Sequence, residues 1–280
     1  PFYPLRALVC ERCFLVQSEE FESPAAIFSD YTYFSSYSSS WLAHCSHYVD
    51  RMVEWLSLGA DHTVVELGSN DGYLLQYFRR RGIPVLGVEP AANVAQEATV
   101  NGIPTIVRFF DAGLAAELAR ELAADLLIGN NVLAHTPDLN SFVAGMKLLL
   151  GSEGVITVEF PHLMRLVEDN QFDTIYHEHF SYFSFATLER IFEQHGLRVF
   201  DVEELSTHGG SLRVYACHAE NGRRQHSDRV GELADRERRA GYAELDVYTS
   251  FGERVVATKR QVLSSLIDVK DSGKSVVGYG

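Results

Sequence analysis

The sequence has few cysteines and no long apolar segment. Its four cysteines, at positions 10, 13, 45 and 217, are too few and too scattered for a disulfide framework, which fits a reducing compartment. No run approaches the roughly 20 apolar residues of a membrane-spanning helix, and no basic and apolar signal segment opens the chain. These absences predict a cytoplasmic protein without a membrane partner.

Positive charge is also scarce. The 280 residues include 24 Lys and Arg against 38 Asp and Glu, for a formal net charge of −14. A nucleic-acid or anionic membrane surface needs clustered Lys and Arg, so neither is predicted as the main partner. Hydrophobic residues make up 46% of the chain, enough to fill the core of one large domain with appendages, or of two domains.

The sequence does contain a regular alternation of short apolar runs and helical stretches from residue 63 onward, beginning with TVVEL and continuing to GVITVEF. Five such buried strands predict an α/β fold with a doubly wound parallel sheet. Two later strands, LRVFDVEEL and SLRVYACHA, are separated by STHGG and predict an antiparallel hairpin that closes the sheet. We assign this domain to residues 61–220, preceded by a Tyr- and Ser-rich loop and helix over 26–60 and followed by helices over 221–280.

The stretch VVELGSNDGYLL, residues 64–75, reads as a strand, a glycine turn and a helix. Gly68 and Gly72 allow close backbone approach of a ligand, and the helix start offers free N–H groups. The turn lacks the middle glycine of a dinucleotide site and carries Glu66 and Asp71 where a pyrophosphate would lie. Acidic groups there favour a cationic ligand such as S-adenosylmethionine, with a nicotinamide-binding sheet as the alternative.

Further polar residues follow the next strands. Glu89 stands 23 residues after Glu66, where a carboxylate accepts both hydroxyls of a ribose. Asp111 is placed to meet an adenine amino group, and Asn130 lies over the centre of the site. The predicted cofactor residues share the carboxyl ends of the strands: Glu66, Gly68, Ser69, Asn70, Asp71, Gly72, Glu89, Asp111 and Asn130.

The segment TIYHEHFSYFS, residues 174–184, places polar groups within a run of aromatics. His179 is the candidate base because imidazole titrates near neutral pH. Tyr176, three residues earlier, shares a face with it if the segment is a helical turn, and Glu178 can orient an imidazole or bind a hydroxyl. Two other interpretations stay open: a metal site of His177 and His179 with Glu178 nearby, and a buried core histidine.

The pair Cys10-x-x-Cys13, on a short hairpin, is half of a tetrahedral zinc site, because two thiolates at this spacing can bind one metal across a turn. Two packed or free thiols are the alternative. We assign a partial zinc-binding lobe to residues 1–25. The missing initiator Met and the closing KSVVGYG, which reads as a strand running into a glycine turn, predict a piece of a longer protein.

Five stretches carry a family resemblance: YPLRALVCERCFLVQ, VELGSNDGYLL, NNVLAHTPDL, IYHEHFSYFS and HGGSLRVYA. On these residues the chain resembles the nucleotide-sugar C-methyltransferases of deoxysugar pathways. The resemblance implies an N-terminal zinc-binding module, a central class I (Rossmann-like) S-adenosylmethionine domain and a C-terminal α/β domain, truncated here. It also implies methylation of a carbon next to the keto group of a nucleotide-linked 4-keto sugar.

The resemblance also implies site residues. The family's proposed active-site residues fall on His135, Tyr176, Glu178 and His179, its zinc site on Cys10 and Cys13, and a further tyrosine on one of Tyr31, Tyr33 and Tyr37. His208, before two glycines, is a candidate substrate contact, and Arg213 either contacts a diphosphate or faces outward from its strand. His44 and the remaining histidines are predicted to be core or surface residues. Methyl transfer to oxygen or nitrogen and a non-catalytic binding module remain alternatives.

Overall fold

The computed structural model describes residues 2–278. Within them the strands are, in chain order, β1 (Ala7–Val9), β2 (Val16–Ser18), β3 (Val64–Leu67), β4 (Val85–Val88), β5 (Thr105–Ile106), β6 (Ala124–Asn130), β7 (Leu150–Pro161), β8 (Ser181–Tyr182), β9 (Leu197–Leu205) and β10 (Ser211–His218). The α-helices are α1 (Pro24–Phe28), α2 (Ser39–Leu56), α3 (Leu75–Arg79), α4 (Ala92–Val100), α5 (Ala112–Leu118), α6 (Leu139–Leu149), α7 (Leu163–Glu168), α8 (Phe185–Gln194), α9 (Asp228–Arg239) and α10 (Asp246–Asp271).

The main sheet has seven strands in the order β5-β4-β3-β6-β7-β10-β9. The strands from β5 to β7 pair in parallel, while β10 pairs antiparallel with both β7 and β9. The predicted doubly wound sheet and its closing hairpin are therefore confirmed. The chain order reverses between β3 and β6, and the crevice at such a reversal is where sheets of this kind bind ligands.

Helices cover both faces of the sheet, so its central strands are buried and mostly apolar. Successive residues of a strand point to opposite faces, and Val64 and Val65 accordingly belong to different hydrophobic clusters. Val64 packs in the cluster that contains Met52 of α2, and Val65 in the one that contains Val143 of α6. This double layer holds the carboxyl ends of the strands in fixed positions.

A second, small sheet joins the N-terminal hairpin to the 174–184 segment. Its order is β1-β2-β8, with all pairs antiparallel. Val16 pairs with Tyr182, and the Ser18 N–H donates to the Phe180 carbonyl at 3.1 Å. The N-terminal hairpin thus lies beside the segment that carries His179.

The C-terminal residues form α9, which packs through Val230 and Leu233, and the long α10, which buries no side chain among the described residues. The prediction of a strand at the end of the chain was wrong for residues 274–278, which are neither helix nor strand and pair with no described strand. A strand needs such a partner for its backbone groups. Within residues 2–278, no helix combines the length and apolar character needed to span a bilayer.

Candidate active site

A cavity of about 1020 Å³ opens at the carboxyl ends of the parallel strands. Its walls come from the β3–α3 turn, the ends of β4 and β6, the Tyr- and Ser-rich loop with the start of α2, the 174–184 segment and the β9–β10 loop. Eleven of the predicted site residues line it: Tyr31, Tyr33, Gly68, Asn70, Glu89, Asp111, Asn130, His135, Tyr176, His179 and His208.

The glycine turn after β3 is shaped by left-handed backbone. Gly68 has φ +67°, and a Cβ there would lie 3.0 Å from Cγ2 of Val132. Asn70 is also left-handed, with φ 49°, and its Oδ1 accepts the Ser35 N–H at 3.0 Å. Because Gly68 has no side chain, the backbone of the turn can lie close to Val132. The Asn70 side chain holds the Tyr- and Ser-rich loop against the turn.

Glu89, after β4, is fixed by the same turn. One carboxylate oxygen accepts the Asn70 N–H and the other the Ala91 N–H, each at 2.9 Å. Glu89 is only 6% exposed, and burial raises the pKa of its carboxyl against the opposing effect of these two N–H groups. The backbone thus holds both oxygens in one orientation beside the cavity.

Polar atoms at the ends of the next two strands keep hydrogen-bonding capacity for a ligand. Oδ1 of Asp111 caps α5 by accepting the Leu114 N–H at 2.7 Å. The Oδ1 atoms of Asn130 and Asn131 are buried and have no hydrogen-bond partner within residues 2–278. Buried polar atoms are nearly always paired in a complete site, so these oxygens indicate where a bound molecule donates.

Tyr176 and His179 form one unit. The His179 N–H donates to the Tyr176 carbonyl at 3.1 Å, which closes a turn and brings the Tyr176 Oη within 3.0 Å of His179 Nε2. The Tyr176 N–H donates to the Tyr182 hydroxyl at 3.1 Å, which fixes the position of the turn. The ring of His135 stands edge-on to that of His179, with centroids 4.8 Å apart.

Burial sets the protonation of this unit. It lowers the pKa of His179 to about 4, against the opposing effect of the Thr174 backbone. Burial and the neighbouring His179 lower the pKa of His135 to about 3. Burial, followed by the charge of Glu178, raises the pKa of Tyr176. At neutral pH the cavity therefore holds neutral imidazoles beside a protonated phenol, which are a proton acceptor and a proton donor in contact.

We expect His179 and His135 to stay uncharged as the pH falls from 7 to 5. The ring ¹⁵N shifts of histidine-labelled protein would measure this, with His179→Asn and His135→Asn assigning the signals. Because both folded-state pKa values lie below the ordinary value of about 6.5, protons bind these rings only near pH 4 and pH 3. A midpoint of either ring near pH 6.5 would contradict the burial argument.

Seven predicted site residues do not line the cavity: Tyr37, Glu66, Ser69, Asp71, Gly72, Glu178 and Arg213. Glu66 is fully buried beneath the turn, and burial raises its pKa well above the ordinary value. Burial therefore disfavours the charged form of the carboxyl that its position in the sequence predicted to form a negative wall. Asp71 accepts the Ser36 N–H at 3.1 Å, Gly72 packs against Ile103, and Tyr37 is 81% exposed.

The alternative in which Arg213 faces outward from its strand was wrong, and its contact with a diphosphate stays a prediction. Its side chain is buried in the sheet, where Nη2 donates to Oε2 of Glu159 at 2.7 Å and the guanidinium lies 4.6 Å from the ring centroid of Tyr48. It therefore neither contacts the cavity nor faces outward. The strand pairing explains this placement, since Arg213 stands directly opposite Glu159 on the neighbouring strand.

Sequence reasoning missed His44, which lines the cavity from α2. Its ring stacks on Trp41 with centroids 4.9 Å apart, and its Nε2 lies 3.2 Å from Oε2 of Glu159. Residues at i and i+3 share a helix face, so the spacing of Trp41 and His44 was the available signal. Nothing in the sequence pointed to Glu159 as the partner.

Neither of the two metal sites predicted from the sequence, at the cysteine pair and at His177 and His179, has a third ligand among residues 2–278. Cys10 and Cys13 lie on the turn between β1 and β2, but residues 2–278 contain no group of three or more His, Cys, Asp or Glu that could hold an ion. His177 points away from His179, with Nε2 at 3.0 Å from the Pro4 carbonyl oxygen. Zinc at the cysteine pair stays a prediction.

Comparison with protein families gives two matches. Residues 39–202 match the model described as "Methyltransferase domain", and residues 206–280 match the model described as "C-methyltransferase C-terminal domain". The chain is also 40% identical over 281 residues to the C-methyltransferase NovU of Streptomyces niveus. That alignment covers 99% of this chain but only 66% of NovU, so the chain spans just under two thirds of its relative.

Solved structures share the fold at low identity. The PH0226 protein of Pyrococcus horikoshii matches with a TM-score of 0.52 and 14% identity, over 71% of this chain and 99% of its own. An S-adenosylmethionine-dependent methyltransferase of Clostridium acetobutylicum matches with a TM-score of 0.50 and 11% identity, over 63% of this chain and 92% of its own. At these identities the likeness shows the fold alone.

Proposed function

This chain belongs to the methyltransferase-domain family, and on that premise we propose that it transfers a methyl group from S-adenosylmethionine to a carbon atom of a nucleotide-linked 4-keto deoxysugar. The observation that carries the proposal is the contact of 3.0 Å between Tyr176 Oη and His179 Nε2 on the wall of a cavity that the glycine turn also lines. A neutral base and a phenol donor in contact are the two groups that carbon methylation requires.

The cavity fits the cofactor. The narrow turn at Gly68, the oriented carboxylate of Glu89 and the unpaired oxygen of Asn130 offer donors and acceptors of the kinds that its amino acid and ribose parts need. We assign its binding to Gly68, Asn70, Glu89, Asp111 and Asn130. When bound, S-adenosylmethionine supplies an electrophilic methyl group.

Carbon methylation requires loss of a proton from the carbon beside the ketone. In our proposal this proton moves to His179 Nε2, and the Tyr176 hydroxyl, released from His179, donates its hydrogen bond to the oxygen that becomes negative. The low pKa of His179 in the free protein keeps the ring unprotonated at neutral pH, so Nε2 is able to accept a proton. The negative oxygen then stabilises the protonated ring of His179, so the basicity of His179 increases as the proton is transferred.

The walls support a hydroxylated acceptor. Residues with side-chain hydroxyls line the cavity from several elements: Ser23, Tyr31, Tyr33, Ser35, Ser38, Ser40, Tyr73, Thr136, Ser141, Tyr176, Ser206 and Thr207. Polar groups of this kind discriminate strongly for a ligand that pairs with them. A sugar offers that many donors and acceptors in the space of one ring.

The proposal is tested by binding and product analysis. We expect calorimetry to detect S-adenosylhomocysteine binding and no NAD binding, and ¹³C-methyl labelling to place the methyl group on carbon. Gly68→Val should abolish S-adenosylhomocysteine binding, because its Cβ meets Val132 at a left-handed position, whereas the control Gly222→Val has open space around its Cβ. NAD binding alone would overturn the cofactor assignment, and an oxygen- or nitrogen-bound methyl would overturn the acceptor chemistry.

The domain assignment remains part of the proposal. We place catalysis in residues 61–220, with a zinc-binding lobe over 1–25, the hydroxyl-rich segment over 26–60 and the start of a C-terminal domain over 221–280. The hydrogen bond between β2 and the 174–184 segment supports a structural role of the lobe in holding the active site.

A further inference from the structure

A buried, ionised carboxylate stands behind one wall of the cavity. Glu159, near the end of β7, has no solvent exposure. Burial raises the pKa of its carboxyl, but the hydrogen bond from His44 and the charge of Arg213 outweigh burial and hold the pKa below its ordinary value. Burying charge is costly, and a buried ion pair is weak evidence for a role in stability alone. The role of Glu159 therefore lies in the side chains that it orients.

Three side chains converge on this carboxylate. Arg213 Nη2 lies 2.7 Å and His44 Nε2 3.2 Å from Oε2, while the Thr207 hydroxyl donates to Oε1 at 2.9 Å. Arg213 Nη2 also lies 2.9 Å from His44 Nε2, so this nitrogen is engaged by the ion pair and Nδ1 is the ring nitrogen left for a ligand. Nδ1 makes no hydrogen bond to residues 2–278, and the His44 side chain keeps 23% exposure on the cavity wall.

The loop between β9 and β10 contains strained backbone next to Glu159 and Trp41. His208 has φ 50° and ψ 39°, a left-handed conformation that is uncommon for a residue with a side chain. It is followed by Gly209 and Gly210, both with positive φ. The strained loop brings Thr207 to Glu159 and sets the His208 ring edge-on to Trp41, with centroids 5.5 Å apart. Trp41 is thus held between two histidines that line the cavity.

We propose that His44 is a specificity residue that binds one hydroxyl group of the acceptor through Nδ1. This inference rests on the proposed function, because it takes the acceptor to be a sugar. A hydroxyl group can either donate to or accept from a ring nitrogen, so it can pair with Nδ1 in either tautomer of His44.

The test measures acceptor binding by calorimetry in the presence of S-adenosylhomocysteine. The probes are a thymidine-diphosphate 4-keto-6-deoxy hexose and its analogues that each lack one ring hydroxyl. His44→Phe keeps the ring stacked on Trp41 but removes both nitrogens. We expect about 10- to 100-fold weaker binding of the parent sugar, as for loss of a hydrogen bond that leaves a desolvated polar group unpaired. One deoxy analogue should bind wild type and His44→Phe equally.

His47→Phe is the matched control, since His47 is exposed on the same helix outside the cavity. It should leave binding unchanged. His44→Gln keeps a donor and an acceptor and should recover part of the loss. Unchanged binding in His44→Phe, equal losses for every analogue, or weaker S-adenosylhomocysteine binding would each overturn the role of His44. If wild type binds the sugar but transfers no methyl group, the proposed function is overturned. The comparison of sugar binding between wild type and His44→Phe would still test the role of His44.

Discussion

The His179→Asn variant is expected to lose methyl transfer almost completely, with kcat lowered roughly 10²- to 10⁴-fold, the usual contribution of a positioned acid or base. Asparagine keeps a polar side chain of similar size but cannot take up the proton from carbon. The decisive measurement is deuterium exchange from solvent at the carbon beside the ketone, with S-adenosylhomocysteine in the cofactor site. Exchange isolates proton removal from methyl transfer, and it should vanish together with turnover.

Two companion variants sharpen this result. Tyr176→Phe removes the donor to the developing oxyanion and should slow exchange while leaving the base in place. His177→Asn is the control, because His177 lies two residues from the base but contacts the Pro4 carbonyl instead of the cavity. S-adenosylhomocysteine affinity should be unchanged in all three. Undiminished exchange in His179→Asn would remove His179 from the role of base.

The second large effect concerns stability. Glu237 of α9 is buried, and its carboxyl accepts three hydrogen bonds: from His162 Nε2 at 2.6 Å, from the Phe185 N–H at 2.7 Å and from the Ala186 N–H at 2.9 Å. The last two are N–H groups of the first turn of α8, which have no partner inside the helix. Glu237→Ala leaves all three donors unpaired, and we expect it to lower the free energy of unfolding by about 3 kcal/mol or more.

Denaturant unfolding measures this change. Glu232→Ala, at an exposed position of the same helix, should shift stability by no more than about 0.5 kcal/mol. Glu237→Gln retains one carbonyl oxygen and should fall between the two. If Glu237→Ala and Glu232→Ala unfold at the same denaturant concentration, the Glu237 carboxyl does not stabilise the fold through His162 and the first turn of α8.

The sheet could be predicted because its information is local. Each buried strand is a short apolar run bounded by turn residues, as in the stretch that forms β3 and the glycine turn. The turn that joins Tyr176 and His179 was likewise anticipated from their spacing of three residues, although its role in catalysis stays a prediction. Periodicity and short spacing carry this much of the fold and of the site.

The missed parts depend on contacts that no local pattern encodes. His44 and Glu159 are 115 positions apart, and His162 and Glu237 are 75 apart. Each pair forms only after the sheet has assembled. The position of Glu66 was predicted but its chemistry was not, because burial beneath the turn, which sets its pKa, is a property of the packed core.

The small sheet couples two regions that the sequence keeps far apart. β2 pairs with β8, and the Ser18 hydroxyl donates to the carbonyl of His179 itself. Any ligand that binds the β1–β2 hairpin more tightly when β2 is paired therefore favours the ordered catalytic turn. Linkage is reciprocal, so a ligand that orders this turn would strengthen binding of such a hairpin ligand by the same free energy. The β1–β2 hairpin and the turn of Tyr176 and His179 are thus held along one strand edge, so a change that breaks the pairing of β2 with β8 acts on both.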